Sequence, residues 1–139
     1  MTLILFLDDR GGMLFNRRRQ SQDRAAREVI LRMAEGRRLL MNPYSAKQFG
    51  DAEGITVTET PVKDAKGEDL AVIENLPVDG GVIASADEVL LFHWNALYPS
   101  DISFDYSLLT KNDFYLVSQE DFAGYSHEKI TIKRYLRRK

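Results

Sequence analysis

The apolar residues in the first third of the chain predict an order of strand, long helix, strand and short helix. Residues 2–8 are almost continuously apolar, which is typical of a central strand that is covered on both faces. Apolar residues then recur at helical spacing and predict a helix over residues 22–35, with Ser21 as its N-cap. A second strand is predicted at residues 37–41 and a short helix at residues 44–49.

The rest of the chain contains short apolar and alternating runs that predict further strands. They cover residues 55–60, 70–74, 82–84, 86–94, 114–119 and 130–136. The run at 86–94 fits a short buried helix about equally well, and its aromatic residues favour the strand. Residues 96–112 are predicted to form an ordered loop, and residues 120–129 to join the last two strands as an antiparallel hairpin. The pattern therefore predicts a single α/β domain over residues 1–139, with a mixed sheet, one long helix, one or more short helices and a C-terminal hairpin.

Length and composition are those of an ordinary soluble globular protein. The 139 residues fit one domain, and 44% of them are hydrophobic and 29% charged. No apolar run approaches the roughly 20 residues that a membrane-spanning helix needs, so no membrane partner is expected. The apolar start lacks the basic leader of a signal peptide, and the chain has no cysteine. These features exclude disulfides and thiolate metal sites, and they predict a cytoplasmic location.

Charge is distributed unevenly along the chain. Residues 1–38 hold nine arginines and five acidic residues, whereas residues 39–132 hold five lysines and sixteen acidic residues. Residues 133–139 are basic again, with five basic residues and no acid. Such ends can form a nucleic-acid surface. Pairing of the basic ends with acidic segments of the same fold explains the pattern better, so nucleic acid is a possible partner that is not favoured.

Three consecutive arginines, Arg17, Arg18 and Arg19, stand just before the predicted long helix. Guanidinium groups bind carboxylates and phosphates in a forked geometry, so the run predicts a site for an anionic small molecule or nucleotide. Asn16 and Gln20 add neutral hydrogen-bonding groups on either side. The alternative is a solvated loop without a ligand.

Four further residues are candidates for ligand binding or catalysis. Asp23 fits a general acid or a ligand anchor, although a carboxylate in a first helical turn needs no further role. Trp94 and Asn95, with the nearby Tyr98, fit a stacking platform for a heterocycle, although a core tryptophan with a turn-capping Asn95 explains them better. His127 fits a proton carrier or a residue that fixes a loop. Its neighbours Ser126 and Glu128 do not make it a catalytic triad, because adjacent residues point in different directions.

The order of elements resembles that of the dihydrofolate reductase family. In that family a buried first strand leads to a glycine-hydrophobic loop, a helix with a substrate-binding acid, and a strand followed by a short helix. The segments that match this order are Gly12-Met13, Asp23, residues 39–44, residues 114–118 and residues 130–138. The resemblance implies a dihydrofolate reductase-like mixed sheet, and it gives Asp23 the place of the substrate-binding acid.

The residues that bind the cofactor in that family are not matched in the same way. The Gly-Arg pair after the second strand is replaced by Asn42-Pro43, and proline lacks a backbone donor. The Gly-Gly pair that cradles a pyrophosphate before a helix is matched only by Gly80-Gly81, which precede a predicted strand. The arginine run replaces the tryptophan and proline that precede the acid. The resemblance therefore implies the architecture without an intact NADPH site, and no cofactor is expected.

Three short signatures are similar to those of a small uncharacterised bacterial family whose members often carry the name ribonuclease Z. They are Phe-Asn-Arg-Arg-Arg-Gln-Ser, Trp-Asn-Ala-Leu-Tyr-Pro and Gly-Tyr-Ser-His-Glu-Lys-Ile-Thr. The enzyme of that name holds two zinc ions with an HxHxDH motif and further histidines, whereas this chain has only His93 and His127. A dinuclear zinc hydrolase is therefore excluded, and no metal site is predicted.

Two functional hypotheses follow. The first is a reductase-like domain that binds an anionic small molecule or nucleotide through the arginine-rich loop. The second is an enzyme, either a divergent pyridine-nucleotide reductase or an RNA-processing nuclease. A metal-free nuclease needs a histidine pair that acts as acid and base, and nothing in the sequence brings His93 and His127 together.

Overall fold

The computed structural model describes residues 1–138. The strands of this part of the chain are β1 (Thr2–Leu7), β2 (Gly12–Phe15), β3 (Arg18–Arg19), β4 (Leu39–Met41), β5 (Ile55–Val57), β6 (Leu70–Val72), β7 (Glu88–His93), β8 (Ile102–Ser103), β9 (Phe114–Phe122) and β10 (Ile130–Arg137). The helices are α1 (Arg24–Met33), α2 (Pro43–Phe49), α3 (Pro61–Asp64), α4 (Gly80–Ala84) and α5 (Ser107–Lys111).

Seven strands form one mixed sheet in the order β5-β4-β6-β1-β7-β10-β9. The first five strands of this order run parallel, and β10 pairs antiparallel with both β7 and β9. The predicted mixed α/β sheet and the C-terminal antiparallel hairpin are therefore confirmed. The predicted strand at 86–94 is also confirmed, as β7.

Strand β1 lies in the middle of the sheet, and all six of its residues are buried. Its even-numbered Ile4 and Phe6 pack into a cluster with Ala26 and Ile30 of α1. The odd-numbered residues face the opposite cluster, which contains Ile83 of α4. Successive side chains of a strand point to opposite faces, so burial on both faces explains the continuous apolar run.

The chain changes sheet faces between two neighbouring strands, β1 and β6. After β1 it continues to α1 on one face, and after β6 it continues to α4 on the other. In open α/β sheets, ligands bind in the crevice at the carboxyl ends of such strands. Here a second, three-stranded sheet of β3, β2 and β8 follows directly from the end of β1.

The predicted strand at 82–84 is wrong, because these residues belong to helix α4. The Asp79 side chain accepts a hydrogen bond of 3.0 Å from the Val82 backbone N–H and caps the helix. Gly80 and Gly81 therefore begin a helix, whereas the sequence predicted that they precede a strand.

The predicted N-cap of the long helix is also wrong. Helix α1 begins at Arg24, and Asp23 caps it by accepting a hydrogen bond of 2.8 Å from the Ala25 backbone N–H. Ser21 lies outside the helix and is free to bond elsewhere. Residues 96–112 are ordered as predicted, and they contain β8 and α5.

Strands β2 and β3 form a hairpin where the sequence predicted a loop. Leu14 pairs with Arg19 and Phe15 with Arg18, which leaves Asn16 and Arg17 as a two-residue turn. Both turn residues have positive φ angles, 52° and 64°. This backbone is typical of the type I′ turns that match the twist of a hairpin.

Among the described residues, no helix is both long enough and apolar enough to cross a membrane.

Candidate functional site

The tip of the β2–β3 hairpin presents two arginines to solvent. Arg17 and Arg18 are both exposed, and neither forms an ion pair or a side-chain hydrogen bond with any residue from 1 to 138. The neighbouring Asn16 is anchored, since its backbone N–H donates to Asp101 Oδ2 at 3.0 Å. The tip is therefore held in place while its two guanidinium groups stay unpaired.

Arg19 turns inward toward the crevice between β1 and β6. Its Nε donates to Glu74 Oε2 at 3.1 Å, and its Nη2 donates to the Tyr44 backbone oxygen at 3.0 Å. The guanidinium also lies over the Tyr44 ring, 4.5 Å from its centroid. Glu74 follows the end of β6, and only 4% of its side chain is exposed. The third arginine thus joins the hairpin to the end of β6 and to α2.

Asp8, at the carboxyl end of β1, is fully buried and accepts four hydrogen bonds. Its Oδ1 accepts from the backbone N–H groups of Arg10 and Gly12, and its Oδ2 accepts from Gln20 Nε2 and the Tyr98 backbone N–H. Burial alone would raise the pKa of this carboxyl, but these donors outweigh it and hold the pKa below its usual value. Gln20 therefore binds the protein's own carboxylate.

Asp23 and His127 form a buried pair. His127 Nδ1 lies 2.9 Å from Asp23 Oδ2, and the exposed fractions of the two side chains are 7% and 0%. Asp23 also accepts from the backbone N–H groups of Tyr125 at 3.0 Å and Ser126 at 2.9 Å. Burial acts to raise the pKa of Asp23, but the bonds from His127 and the backbone lower it far below its ordinary value. Asp23 is therefore an ionised carboxylate, and all of its donors except the Ala25 backbone N–H come from the loop between β9 and β10.

The other ring nitrogen of His127 faces two hydroxyl groups. Nε2 lies 2.9 Å from Ser21 Oγ and 3.0 Å from Tyr98 Oη. The imidazole stacks on Trp94 at a centroid distance of 4.7 Å and an interplanar angle of 19°. Trp94 itself is 3% exposed, and Phe6 stacks on its far side. Both faces of the indole are thus covered by the protein.

Trp94, Asn95, Tyr98 and His127 line a cavity of about 570 Å³. Trp94 contributes an edge to it. Asn95 has a positive φ of 58°, and its amide donates to the Lys129 backbone oxygen and to Thr131 Oγ1. None of the three arginines is among the residues that line this cavity.

The structure divides the predicted site residues into three groups. Asn16, Arg17 and Arg18 form the hairpin tip, and Arg19 and Gln20 bind buried carboxylates at the sheet edge. In the third group, Asp23 and Trp94 contact the His127 imidazole, and Asn95 lines the same cavity as His127.

Sequence reasoning missed Ser21 and Tyr98 as partners of His127. Ser21 was predicted to be a helix cap, because serine and aspartate are both common at that position. The two histidines do not meet. His93 follows Leu91 on one face of β7, while Trp94 and the stacked His127 lie on the opposite face.

Helices α2 and α4 also have their first turns capped by side chains. Asn42 Oδ1 accepts from the Ser45 backbone N–H at 3.0 Å, and Asp79 caps α4 in the same way. No group of three histidine, aspartate or glutamate side chains within residues 1–138 is arranged to hold a metal ion.

The fold is that of dihydrofolate reductase. A dihydrofolate reductase from Enterococcus faecalis, solved in complex with NADP(H) and RAB-propyl, is similar to this chain with a TM-score of 0.67 and 11% sequence identity. The match covers 99% of this chain and 96% of the reductase. No protein-family model matches the sequence. No curated protein matches it either.

Proposed function

We propose that the protein is a binding protein of the dihydrofolate reductase fold that holds an anionic small molecule or nucleotide at Arg17 and Arg18. The observation that carries this proposal is the pair of exposed guanidinium groups without partners in residues 1–138, on a turn that is otherwise anchored. Arginine groups bind phosphate and carboxylate through two parallel hydrogen bonds, so these two anions are the expected ligand chemistry.

The backbone conformation of Arg17 supports a role for this residue in ligand binding. Its φ of 64° lies in the left-handed region, where glycine is favoured and a side chain adds roughly 1 kcal/mol of strain. Strained residues at an exposed position are often retained for binding. An arginine at this point of the turn therefore fits a residue that contacts a ligand.

The proposed ligand is not a pyridine nucleotide. The start of α4, where a Gly-Gly pair would cradle a pyrophosphate, already holds the Asp79 carboxylate. A negative side chain at that helix start satisfies the backbone donors and repels phosphate. The carboxyl end of β6 is also occupied by the ion pair of Arg19 and Glu74. These contacts support a reductase fold without a working NADPH site.

The alternative of an RNA nuclease with two histidines receives no support from this geometry. His93 and His127 lie on opposite faces of the sheet, so they do not face one substrate atom as acid and base.

Calorimetric titration at low ionic strength tests the proposal with three probes, ADP, citrate and NADPH. Replacing Arg17 and Arg18 together with alanine is expected to weaken ADP or citrate binding by roughly tenfold to thirtyfold, since each exposed ion pair contributes about 1 kcal/mol. A variant with Arg10→Ala and Arg32→Ala removes the same charge from exposed positions outside the hairpin.

The matched variant separates a specific site from general attraction to positive charge. We expect it to bind ADP or citrate within about twofold of the unaltered protein, because Debye screening weakens distant charges. Equal losses in both variants, or NADPH binding that exceeds ADP binding, would contradict the proposal.

A further inference from the structure

The hydrogen-bonded chain of Ser21, His127 and Asp23 has no role in anion binding at the hairpin tip. We propose that this chain is a nucleophilic site in which Ser21 attacks the carbonyl carbon of a small carboxylic ester bound in the cavity beside His127. The three side chains come from two segments of the sequence more than 100 residues apart, and two contacts of 2.9 Å join them.

Asp23 determines which nitrogen of His127 carries a proton. Its Oδ1 accepts from the Ala25 and Tyr125 backbone N–H groups, and its Oδ2 accepts from the Ser126 and His127 backbone N–H groups. An ionised carboxylate can only accept, so His127 Nδ1 must donate to it. The lone pair of the neutral imidazole is therefore on Nε2, which faces Ser21.

The surroundings of the imidazole hold this orientation. Trp94 stacks on the ring at 4.7 Å, and only 7% of the His127 side chain is exposed. An activated serine differs from an ordinary surface hydroxyl because a third group orients its base, and here that group is Asp23. The geometry of the described residues meets this requirement without any movement of the backbone.

Two hydroxyl groups share the Nε2 lone pair, and they suit different steps. Ser21 Oγ, 2.9 Å from Nε2 on a half-buried side chain, is the nucleophile in this proposal. Tyr98 Oη lies 3.0 Å from the same nitrogen and belongs to a residue that lines the cavity. Its O–H is the donor placed to stabilise negative charge on the ester carbonyl oxygen.

The reaction balances with water as the only co-reactant. Ser21 Oγ bonds to the carbonyl carbon and its proton moves to His127 Nε2. The carbon–oxygen bond to the leaving group breaks, and that oxygen takes the proton from Nε2 to leave as an alcohol. Water then attacks the acyl group on Ser21 through the same base, which releases a carboxylic acid and restores the hydroxyl.

The cavity beside His127 has room for the acyl group of an ester. Its volume is about 570 Å³, and its walls combine Trp94 and Ala96 with polar and charged groups that include Asn95, Tyr98, Glu128 and Lys129. Ser21 lies outside this lining and contacts it through His127 Nε2. A compact acyl group with one polar end matches such a lining.

The first experiment uses a fluorophosphonate probe, which labels an activated serine as its fluoride leaves, and p-nitrophenyl acetate as a model ester. We expect the probe to label Ser21, as mapped by tandem mass spectrometry, and Ser21→Ala to reduce ester hydrolysis at least tenfold. Ser118→Ala removes an exposed hydroxyl of β9 and is expected to leave the rate unchanged. Labelling elsewhere, or hydrolysis that survives in Ser21→Ala, would overturn the proposal.

A second experiment uses the absence of cysteine from the chain. Ser21→Cys introduces a single thiol beside His127, and Ser118→Cys introduces one on an exposed strand. If His127 acts as a base, the half-buried thiol of Ser21→Cys reacts with iodoacetamide at neutral pH at least tenfold faster than the exposed thiol. Replacing His127 with Asn in Ser21→Cys should remove this difference. A thiol of Ser21→Cys that reacts more slowly than that of Ser118→Cys would refute an activated nucleophile.

Discussion

His93 is a buried histidine that the fold accepts only in its neutral form. It ends β7, is 9% exposed, and its Nε2 has no hydrogen-bond partner within residues 1–138. Burial lowers the pKa of His93 from 6.5 to about 4, Lys133 adds to this effect, and Asp9 opposes it. Protonation at this position therefore opposes folding.

The pH dependence of stability follows from that pKa. The unfolded chain binds the proton near pH 6.5 and the folded protein only near pH 4, so the stabilisation is complete above pH 6.5 and is lost as the pH falls toward 4. The loss attributable to His93 is up to roughly 3 kcal/mol. Urea denaturation between pH 7.5 and 4 measures the free energy of unfolding, which should fall less steeply with decreasing pH for His93→Gln than for the unaltered protein. Parallel curves for the two proteins would show that His93 titrates normally in the folded state.

Residue types alone predicted Asp23 and His127 as candidates, but not that they bond to each other. They lie 104 residues apart, and only the antiparallel pairing of β10 with β7 brings the loop that holds His127 next to the start of α1. Pairing across such a distance is a property of the sheet order. It cannot be derived from the neighbours of either residue.

The hairpin of β2 and β3 is the element whose local sequence least resembles its structure. Hairpins with two-residue turns usually carry Asn-Gly, and this turn has Asn16-Arg17. The asparagine fits the pattern. An arginine in the second position does not, so the sequence predicts a basic loop and not a hairpin turn. Helix α4 was missed for a related reason, since Val82 and Ile83 favour strands and the cap at Asp79 decides the outcome.

Replacing Arg17 with glycine is expected to stabilise the folded protein by about 0.5 to 1 kcal/mol, because glycine adopts a positive φ without strain. Arg18→Gly provides the control, since Arg18 lies in β3 and glycine weakens a strand. In thermal denaturation, Arg17→Gly should melt at a higher temperature than the unaltered protein, and Arg18→Gly at a lower one. A lower melting temperature in Arg17→Gly would mean that the arginine side chain stabilises the turn.

At the scale of the whole molecule, the order of elements could be predicted from the sequence, while the way distant parts close on one another could not. Periodicity predicts the long helix and most strands, since their core faces are regular. The contact of the β9–β10 loop with α1 depends on Gly124, where an added Cβ would lie 2.6 Å from Asp23 Oδ2. Because glycine has no side chain, the sequence contains no hydrophobic or polar pattern that would predict this close approach.

Gly124→Ala is therefore expected to destabilise the protein by about 1 to 3 kcal/mol, because the new methyl group must displace Asp23 or the His127 backbone oxygen. Gly80→Ala is the matched change, since its nearest neighbour is 4.0 Å away and alanine favours the helix. Equilibrium unfolding in urea compares the two variants. Equal stability of both would show that the loop relaxes freely around position 124.

The link between Asp23 and His127 also has a consequence for the time course of folding. A ribosome that has released only the first hundred residues has supplied β1, α1 and β7, but of the donors to the Asp23 carboxylate it has supplied only the Ala25 backbone N–H. Contacts of such sequence separation form slowly, because a long loop must close before they stabilise anything. Asp23 therefore keeps only its helix-capping bond from Ala25 at the start of a nascent helix until the last strand has been synthesised and joined to β7.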